Sequence, residues 1–104
     1  MFTRLPGRRA VVSDEGFSVE RTGSPLTQFI VRYAEGDHVL EYPLEDVASG
    51  HAVSVVVGSV GPWLPPYQSE RVSPERQKMI ANRIRDGMMF MGDQVEVVSY
   101  RPGD

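Results

Sequence analysis

Two glutamates, Glu41 and Glu45, lie four positions apart in a segment with strand-like alternation. Paired carboxylates serve glycoside hydrolases as general acid and general base. Side chains four residues apart on a strand share a face but lie about 13 Å apart, from a rise of ~3.3 Å per residue. Glycosidases hold their carboxyl groups at ~5–9.5 Å. We therefore predict a solvated acidic face, with binding of a basic protein partner as its functional alternative.

His38 and His51 are the two histidines, and both stand beside turn-like residues. Their spacing does not place two imidazoles on one surface, and a zinc site would need carboxylates from elsewhere in the chain. No serine has the Gly-x-Ser-x-Gly setting of an activated nucleophile. We expect exposed or turn-capping histidines, and we predict no catalytic residue, no metal and no cofactor.

A phosphate-binding turn is the next chemistry to consider, because Gly58-Ser-Val-Gly61 follows a valine-rich segment. A P-loop requires Gly-Lys-Ser/Thr at the start of a helix, and a dinucleotide fold requires a third glycine in a parallel βαβ unit. Here Pro62 and Trp63 follow instead. The segment is therefore a poor candidate for phosphate binding.

Residues 58–72 contain the single tryptophan, Trp63, together with Tyr67 and the prolines Pro62, Pro65 and Pro66. Connections of this length without secondary structure are uncommon in small domains and tend to be functional. The prolines favour an extended course that would present Trp63 and Tyr67 as preorganised contact groups. The alternative is that Trp63 folds back to close the core, because large aromatic side chains are usually well buried.

Length and composition limit the classes of protein. The chain has 104 residues, no cysteine, 40% hydrophobic residues and 24% charged residues. These values predict one ordered domain without disulfides or thiolate chemistry. No apolar segment approaches membrane-spanning length, so we expect a soluble, cytoplasmic protein. The net charge is −3, with no Lys or Arg from Tyr33 to Glu70, and the bases elsewhere are scattered. We therefore predict no nucleic-acid and no membrane partner.

One long helix is predicted directly after the 58–72 segment and would position its C-terminal end. Ser73 is a suitable N-cap, Pro74 suits the first helical position, and Gly92 suits the C-terminal stop. Between them, apolar residues recur every three or four positions, which predicts a helix over 74–91 with one buried stripe. The stripe runs through Gln77, Ile80, Ala81, Ile84, Met88 and Met91.

The rest of the fold is predicted from short segments that alternate apolar and polar residues. Turn-forming residues, mainly Gly, Asp and Pro, separate these segments. We expect strands at 9–13, 17–21, 27–34, 38–45 and 51–57, and one short strand after the helix. Residues 1–8 should form an irregular lead-in that is a candidate for disorder. Short reversals favour antiparallel neighbours. The predicted fold is α+β, an antiparallel five- to six-stranded meander with the long C-terminal helix on one face.

A family resemblance covers residues 60–97. Its residues are Trp63-Leu-Pro-Pro-Tyr67, then Val72-Ser-Pro-Glu75 at the helix start, and Phe90-Met-Gly92 before Val95-Glu-Val97. This pattern resembles the small bacterial immunity proteins of polymorphic toxin systems, the immunity protein 74 family. The resemblance implies a non-enzymatic domain that binds and neutralises a cognate toxin in the producing cell. Trp63, Pro65 and Pro66 carry over as the hallmark residues of the family.

Three hypotheses about function remain open. The first is an inhibitor-like binding protein that uses Trp63, Pro65, Pro66 and Tyr67 with the acidic Glu41 and Glu45. The second is a small ligand-binding domain or enzyme with a site under the 58–72 loop, and the third is a homodimer formed through an exposed strand edge. Because no convergent nucleophile, base or metal set is visible, the sequence favours binding over catalysis.

Overall fold

The computed structural model describes residues 1–23, 29–44 and 53–98. Within them the chain forms seven strands, a short 3₁₀-helix and one long helix. The strands are β1 (Phe2–Arg4), β2 (Ala10–Ser13), β3 (Phe17–Thr22), β4 (Ile30–Glu35), β5 (His38–Pro43), β6 (Val53–Val56) and β7 (Val95–Val98). The 3₁₀-helix spans Val57–Ser59, and the long helix α1 spans Pro74–Phe90. The predicted α+β fold class is confirmed.

Strands β1 to β5 form one antiparallel sheet in sequence order. The predicted meander is confirmed for the four strands β2 to β5. Side chains alternate between the two faces of the sheet, and the central residues of the inner face are fully buried. In register across the sheet these include Val19, Tyr33 and Leu40. These side chains belong to the inner face of the sheet, on which α1 packs through contacts with β2 and β3.

The helix begins and ends as its sequence predicts. The hydroxyl of Ser73 accepts a hydrogen bond from the backbone N–H of Arg76 at 3.2 Å, and Gly92 adopts a φ of 102° just beyond the helix. The predicted stripe is confirmed, because Ile80, Ala81, Ile84 and Met88 are 0% exposed and Met91 is 7% exposed. Burial of this stripe provides most of the helix stability, since an isolated helix of this length is marginal in water.

The N-terminal prediction was wrong. Residues 1–8 contain β1, which pairs with β2 so that Thr3 lies opposite Val12. Phe2 anchors this strand, because its ring contacts those of Phe17 and Phe90 with centroids 5.7 and 5.5 Å away. Reasoning from Pro6, Gly7 and the charges alone did not include this long-range aromatic contact.

The position of β6 also differs from the prediction. We expected it to continue the antiparallel meander, but β6 pairs in parallel with β7 in a separate two-stranded sheet. Parallel neighbours need a crossover of about a dozen residues or more. Residues 57–94, which include α1, supply that crossover. The short strand after the helix thereby gains its only described neighbour from a strand that precedes the helix.

Candidate partner-binding surface

The segment of residues 60–72, here called the aromatic loop, is attached to β5 and to α1. The N–H of Leu64 donates a 2.7 Å hydrogen bond to the carbonyl of Val39 on the outer edge of β5. At the other side, Nε2 of Gln77 on α1 donates to the carbonyl of Val60 at 3.0 Å. The loop therefore bridges the edge of the sheet and the start of the helix, and both contacts restrict its backbone.

Trp63 belongs to the core. Its side chain is part of the main hydrophobic cluster, and the residue is 5% exposed. The indole stacks on Tyr33 with centroids 6.4 Å apart and meets His38 edge to face at 5.1 Å. The structure thus confirms the core interpretation of Trp63, and little of the ring is left for direct contact with another molecule.

His38 holds the loop against the sheet. Its ring stacks on that of Tyr67 at 3.9 Å with an interplanar angle of 19°, and Nε2 lies 3.2 Å from both carboxylate oxygens of Glu70. The expectation of an exposed or turn-capping histidine did not include this contact. No local sequence pattern signals it, because His38 and Glu70 are 32 residues apart.

The outer side of the aromatic loop is a proline-rich surface. Pro62, Pro65, Pro66 and Gln68 are exposed, whereas Tyr67 is half-buried under His38. Proline side chains have almost no rotamer freedom to lose. Pro65 and Pro66 therefore form a small, rigid apolar surface, whereas Pro62 and Gln68 line the groove toward α1.

A groove of about 410 Å³ lies between the aromatic loop and the start of α1. Its lining includes Val60, Gly61, Arg71 and Gln77. The groove lies where the second hypothesis from the sequence expects a ligand-binding or enzyme site, under the 58–72 loop. The lining combines backbone, amide, carboxylate and guanidinium groups, which suits a small polar molecule better than an apolar one.

A hydrogen-bonded network connects α1 to β4. Arg83 donates from Nη1 to the hydroxyl oxygen of Tyr33 at 2.9 Å, and that hydroxyl donates to Glu35 Oε1 at 3.1 Å. Arg76 closes the network by donating from Nη2 to Glu35 Oε2 at 2.6 Å. Burial raises the pKa of Tyr33 to about 12. Tyr33 therefore stays protonated at neutral pH and serves as a packing and hydrogen-bonding residue, not as a base.

The open face of the sheet carries charges of both signs. Glu41 is exposed on β5, as predicted, but its register partner on β4 is Arg32, and the partner of Arg32 on β3 is Glu20. Glu20 also pairs with Arg8 at 2.5 Å. The face is consequently less acidic than the sequence of β5 alone suggests. Glu45, the second predicted residue of this face, and His51 lie outside the described residues.

The candidate residues therefore occupy two adjoining places. Pro65, Pro66 and Tyr67 lie on the aromatic loop, and Glu41 lies on β5 two residues beyond Val39, which holds Leu64. By strand alternation, Glu41 points to the open face of the sheet, whereas His38, which stacks on Tyr67 of the loop, shares the inner face with the buried Leu40. Glu41 and the loop therefore lie on opposite faces of the same edge strand.

The described ranges contain no group of three or more His, Asp or Glu side chains arranged to hold a metal ion. Nor does any helix in them have the length and apolar character needed to cross a bilayer. No protein-family model, curated protein or solved structure matches the chain.

Proposed function

We propose that this chain is a non-enzymatic protein-binding domain whose contact surface is the outer side of the aromatic loop together with the adjoining edge of β5. The observation that carries this proposal is the contrast between the two sides of the loop. Its inner side is held by Trp63, His38 and the Leu64–Val39 hydrogen bond, and its outer side exposes Pro65 and Pro66. A surface that is apolar, rigid and already ordered loses little entropy on binding.

We further propose that the partner is a protein toxin and that the chain neutralises it in the cytoplasm of the producing cell. The resemblance of residues 60–97 to the immunity protein 74 family supports this, since the hallmark residues Trp63, Pro65 and Pro66 all belong to the aromatic loop. In this proposal Trp63 acts indirectly by supporting the loop. Pro65, Pro66 and the exposed edge of Tyr67 make the contact, and Glu41 contributes charge complementarity to a basic partner.

The test is binding to a toxin domain. The candidate partner is the C-terminal domain of a large secreted protein encoded beside the gene for this chain, and the measurement is calorimetric titration of the two purified proteins. We expect tight binding by the unchanged chain and a Kd raised about 100-fold by Pro65→Arg, since a bulky charge at the centre of an apolar contact is among the costliest interface changes. No binding by the unchanged chain would refute the toxin as partner.

Pro6→Arg is the matched control, because Pro6 is an exposed proline in the β1–β2 connection, at the opposite edge of the sheet. It makes the same change of side chain and charge, and we expect it to leave the Kd unchanged. Equal effects of the two variants would show that the aromatic loop is not the contact surface.

The role of Glu41 is tested separately through the rate of association. Glu41→Lys should slow association with a basic partner and flatten its salt dependence, because charges at the rim of an interface act mainly on the on-rate. Glu15→Lys makes the same change in net charge at an exposed residue of the β2–β3 turn, on the other side of β4 from Glu41. If both variants lowered the on-rate equally, net charge alone would explain the effect and the β5 face would have no specific role.

A second candidate function is recognition of a small polar molecule in the groove beside Arg71 and Gln77. The volume of about 410 Å³ favours it, because ligand sites commonly measure ~300–1,000 Å³. Fragment screening by NMR provides the test. Shifts confined to Val60, Gly61, Arg71 and Gln77 would support a ligand site, and a screen without such shifts would remove this candidate.

A further inference from the structure

The outer edge of β1 carries backbone groups that no other described strand pairs, and they follow a definite pattern. Asp14 donates its N–H to the carbonyl of Met1, and Leu5 donates to the carbonyl of Ala10. With Thr3 opposite Val12, the alternation of an antiparallel ladder turns the N–H and C=O of Thr3 inward, toward β2. Those of Phe2 and Arg4 therefore point outward. Within the described residues no other strand lies beyond β1.

We propose that this edge pairs with β1 of a second copy of the chain, with the two-fold axis passing beside Thr3. In that arrangement Phe2 of one copy lies opposite Arg4 of the other. Each outward N–H of one copy then meets an outward C=O of the other, so all the groups at this edge are satisfied. A two-fold axis requires such self-complementarity of the surface, and the β1 edge has it.

Side chains around the edge support a second copy as the occupant. Phe2 and Phe90 contact each other at the end of α1, and Phe90 is 49% exposed while Met89 is 53% exposed. The two-fold axis would bring the Phe2–Phe90 pair of each copy near its equivalent and place the guanidinium of Arg4 beside the partner ring of Phe2, a favourable cation–π geometry. On the opposite face, Thr3 would lie next to its own equivalent, a favourable cross-strand pair.

This inference goes beyond the proposed function and does not depend on it, because the two surfaces lie at opposite edges of the sheet. The sheet order runs from β1 to β5, and the aromatic loop is attached at β5. A dimer through β1 would extend the sheet to twice its strands and would leave one aromatic loop free at each end. Such a dimer would present two partner-binding surfaces that point away from each other.

Cross-linking gives the sharpest test, since the chain contains no cysteine. Residues facing each other in a non-hydrogen-bonded antiparallel pair have Cα atoms about 4.5 Å apart, within reach of a disulfide. We expect Thr3→Cys to form a covalent dimer under mild oxidation. Val12→Cys is the control, because Val12 is 39% exposed and lies one strand further from the axis. It should remain monomeric, and equal cross-linking of the two variants would overturn the proposal.

The mass in solution provides the second test. Sedimentation of the unchanged chain at concentrations up to about 1 mM should show a shift from 11.6 kDa toward twice that mass. Arg4→Pro removes an outward N–H without touching the hydrogen bonds to β2, and we expect it to abolish the shift. Arg4→Ala keeps that N–H and should still dimerise. A constant mass for the unchanged chain, or dimerisation by Arg4→Pro, would overturn the proposal.

Discussion

Gly87 shows how one residue sets the distance between helix and sheet. It lies inside α1, where glycine costs about 1 kcal/mol relative to alanine. A Cβ atom at this position would lie 2.8 Å from both Cβ and Cγ2 of Val19 on β3. Real Cβ atoms do not approach so closely, and Val19 is fully buried and cannot move aside. Glycine is therefore required here by close packing, and its low helix propensity is tolerated.

We predict that Gly87→Ala destabilises the protein by about 1–3 kcal/mol, because overpacking outweighs the gain in helix propensity. Gly58→Ala is the control, since a Cβ at Gly58 meets nothing within 4 Å. Its effect on the free energy of unfolding should stay within about 0.5 kcal/mol. Urea denaturation measures both variants, and a stabilised Gly87→Ala protein would refute the close approach of α1 to β3.

Tyr33 is the residue whose ionisation couples most clearly to folding. Burial raises its pKa to about 12 from the ordinary tyrosine value of 10.0. The unfolded chain therefore loses this proton at a lower pH than the folded protein does. Stability from this group is fully present below pH 10, and it falls as the pH rises toward 12, because ionisation then favours the unfolded state.

We predict a steeper loss of stability between pH 10 and about 12 in the unchanged protein than in Tyr33→Phe. The variant has no proton to lose at this position, although it is less stable at pH 7 because Arg83 and Glu35 lose their shared hydroxyl. Denaturant unfolding across this pH range provides the measurement. Parallel pH profiles for the two proteins would contradict a raised pKa at Tyr33.

At the scale of elements, the aromatic loop owes its order to contacts with neighbouring elements. It has no strand or helix of its own between Val60 and Val72. Its backbone is held at Leu64 by β5, and its side chains are held by the stack of His38 on Tyr67 and by the pairing of His38 with Glu70. A loop with few anchors opens more readily than the core, so removal of one anchor has a local effect.

We predict that His38→Ala increases amide hydrogen exchange at Leu64, Tyr67 and Glu70 by about tenfold, which corresponds to ~1.4 kcal/mol of local opening. Amides in the middle of α1 should keep their protection. Asp37→Ala changes the neighbouring exposed residue and serves as the control. Unchanged exchange in the loop of His38→Ala would show that the histidine does not hold it.

At the scale of the whole molecule, α1 connects the two sheets. It packs on the five-stranded sheet through contacts with β2 and β3, and it also contacts β6 and β7. An ion pair joins the same parts, because Asp93, just beyond α1, lies 2.6 Å from Arg21 on β3. Residues from both sheets and the helix belong to one hydrophobic cluster, which includes Leu40, Val55 and Ile84.

We therefore predict cooperative unfolding of both sheets in a single transition. The single tryptophan, Trp63, reports on packing at β4 and β5, and far-ultraviolet circular dichroism reports mainly on α1. The two signals should give the same denaturation midpoint, since coincident transitions are the mark of two-state unfolding. Midpoints that differ beyond experimental error would show that the sheets unfold separately.

Much of the architecture could be predicted because it depends on local pattern. The ends of α1 follow from Ser73 and Gly92, its buried stripe follows from the spacing of apolar residues, and the meander follows from short reversals between alternating segments. The candidate site was predicted only in part. The proline-rich segment and its unusual length are visible in the sequence, but the anchoring role of His38 is not, because its partners are distant in the chain.

By itself, the sequence determined the periodicities, the turns and the caps, since these arise from interactions among residues close together in the chain. Only the tertiary structure decided that Trp63 lies in the core, that β6 pairs with β7, that β1 forms one edge of the sheet and that Gly87 allows the helix to approach β3 closely. Each of these outcomes depends on which surfaces meet after the chain folds. Many pairings satisfy the same hydrophobic pattern, and the choice among them comes from packing and shape.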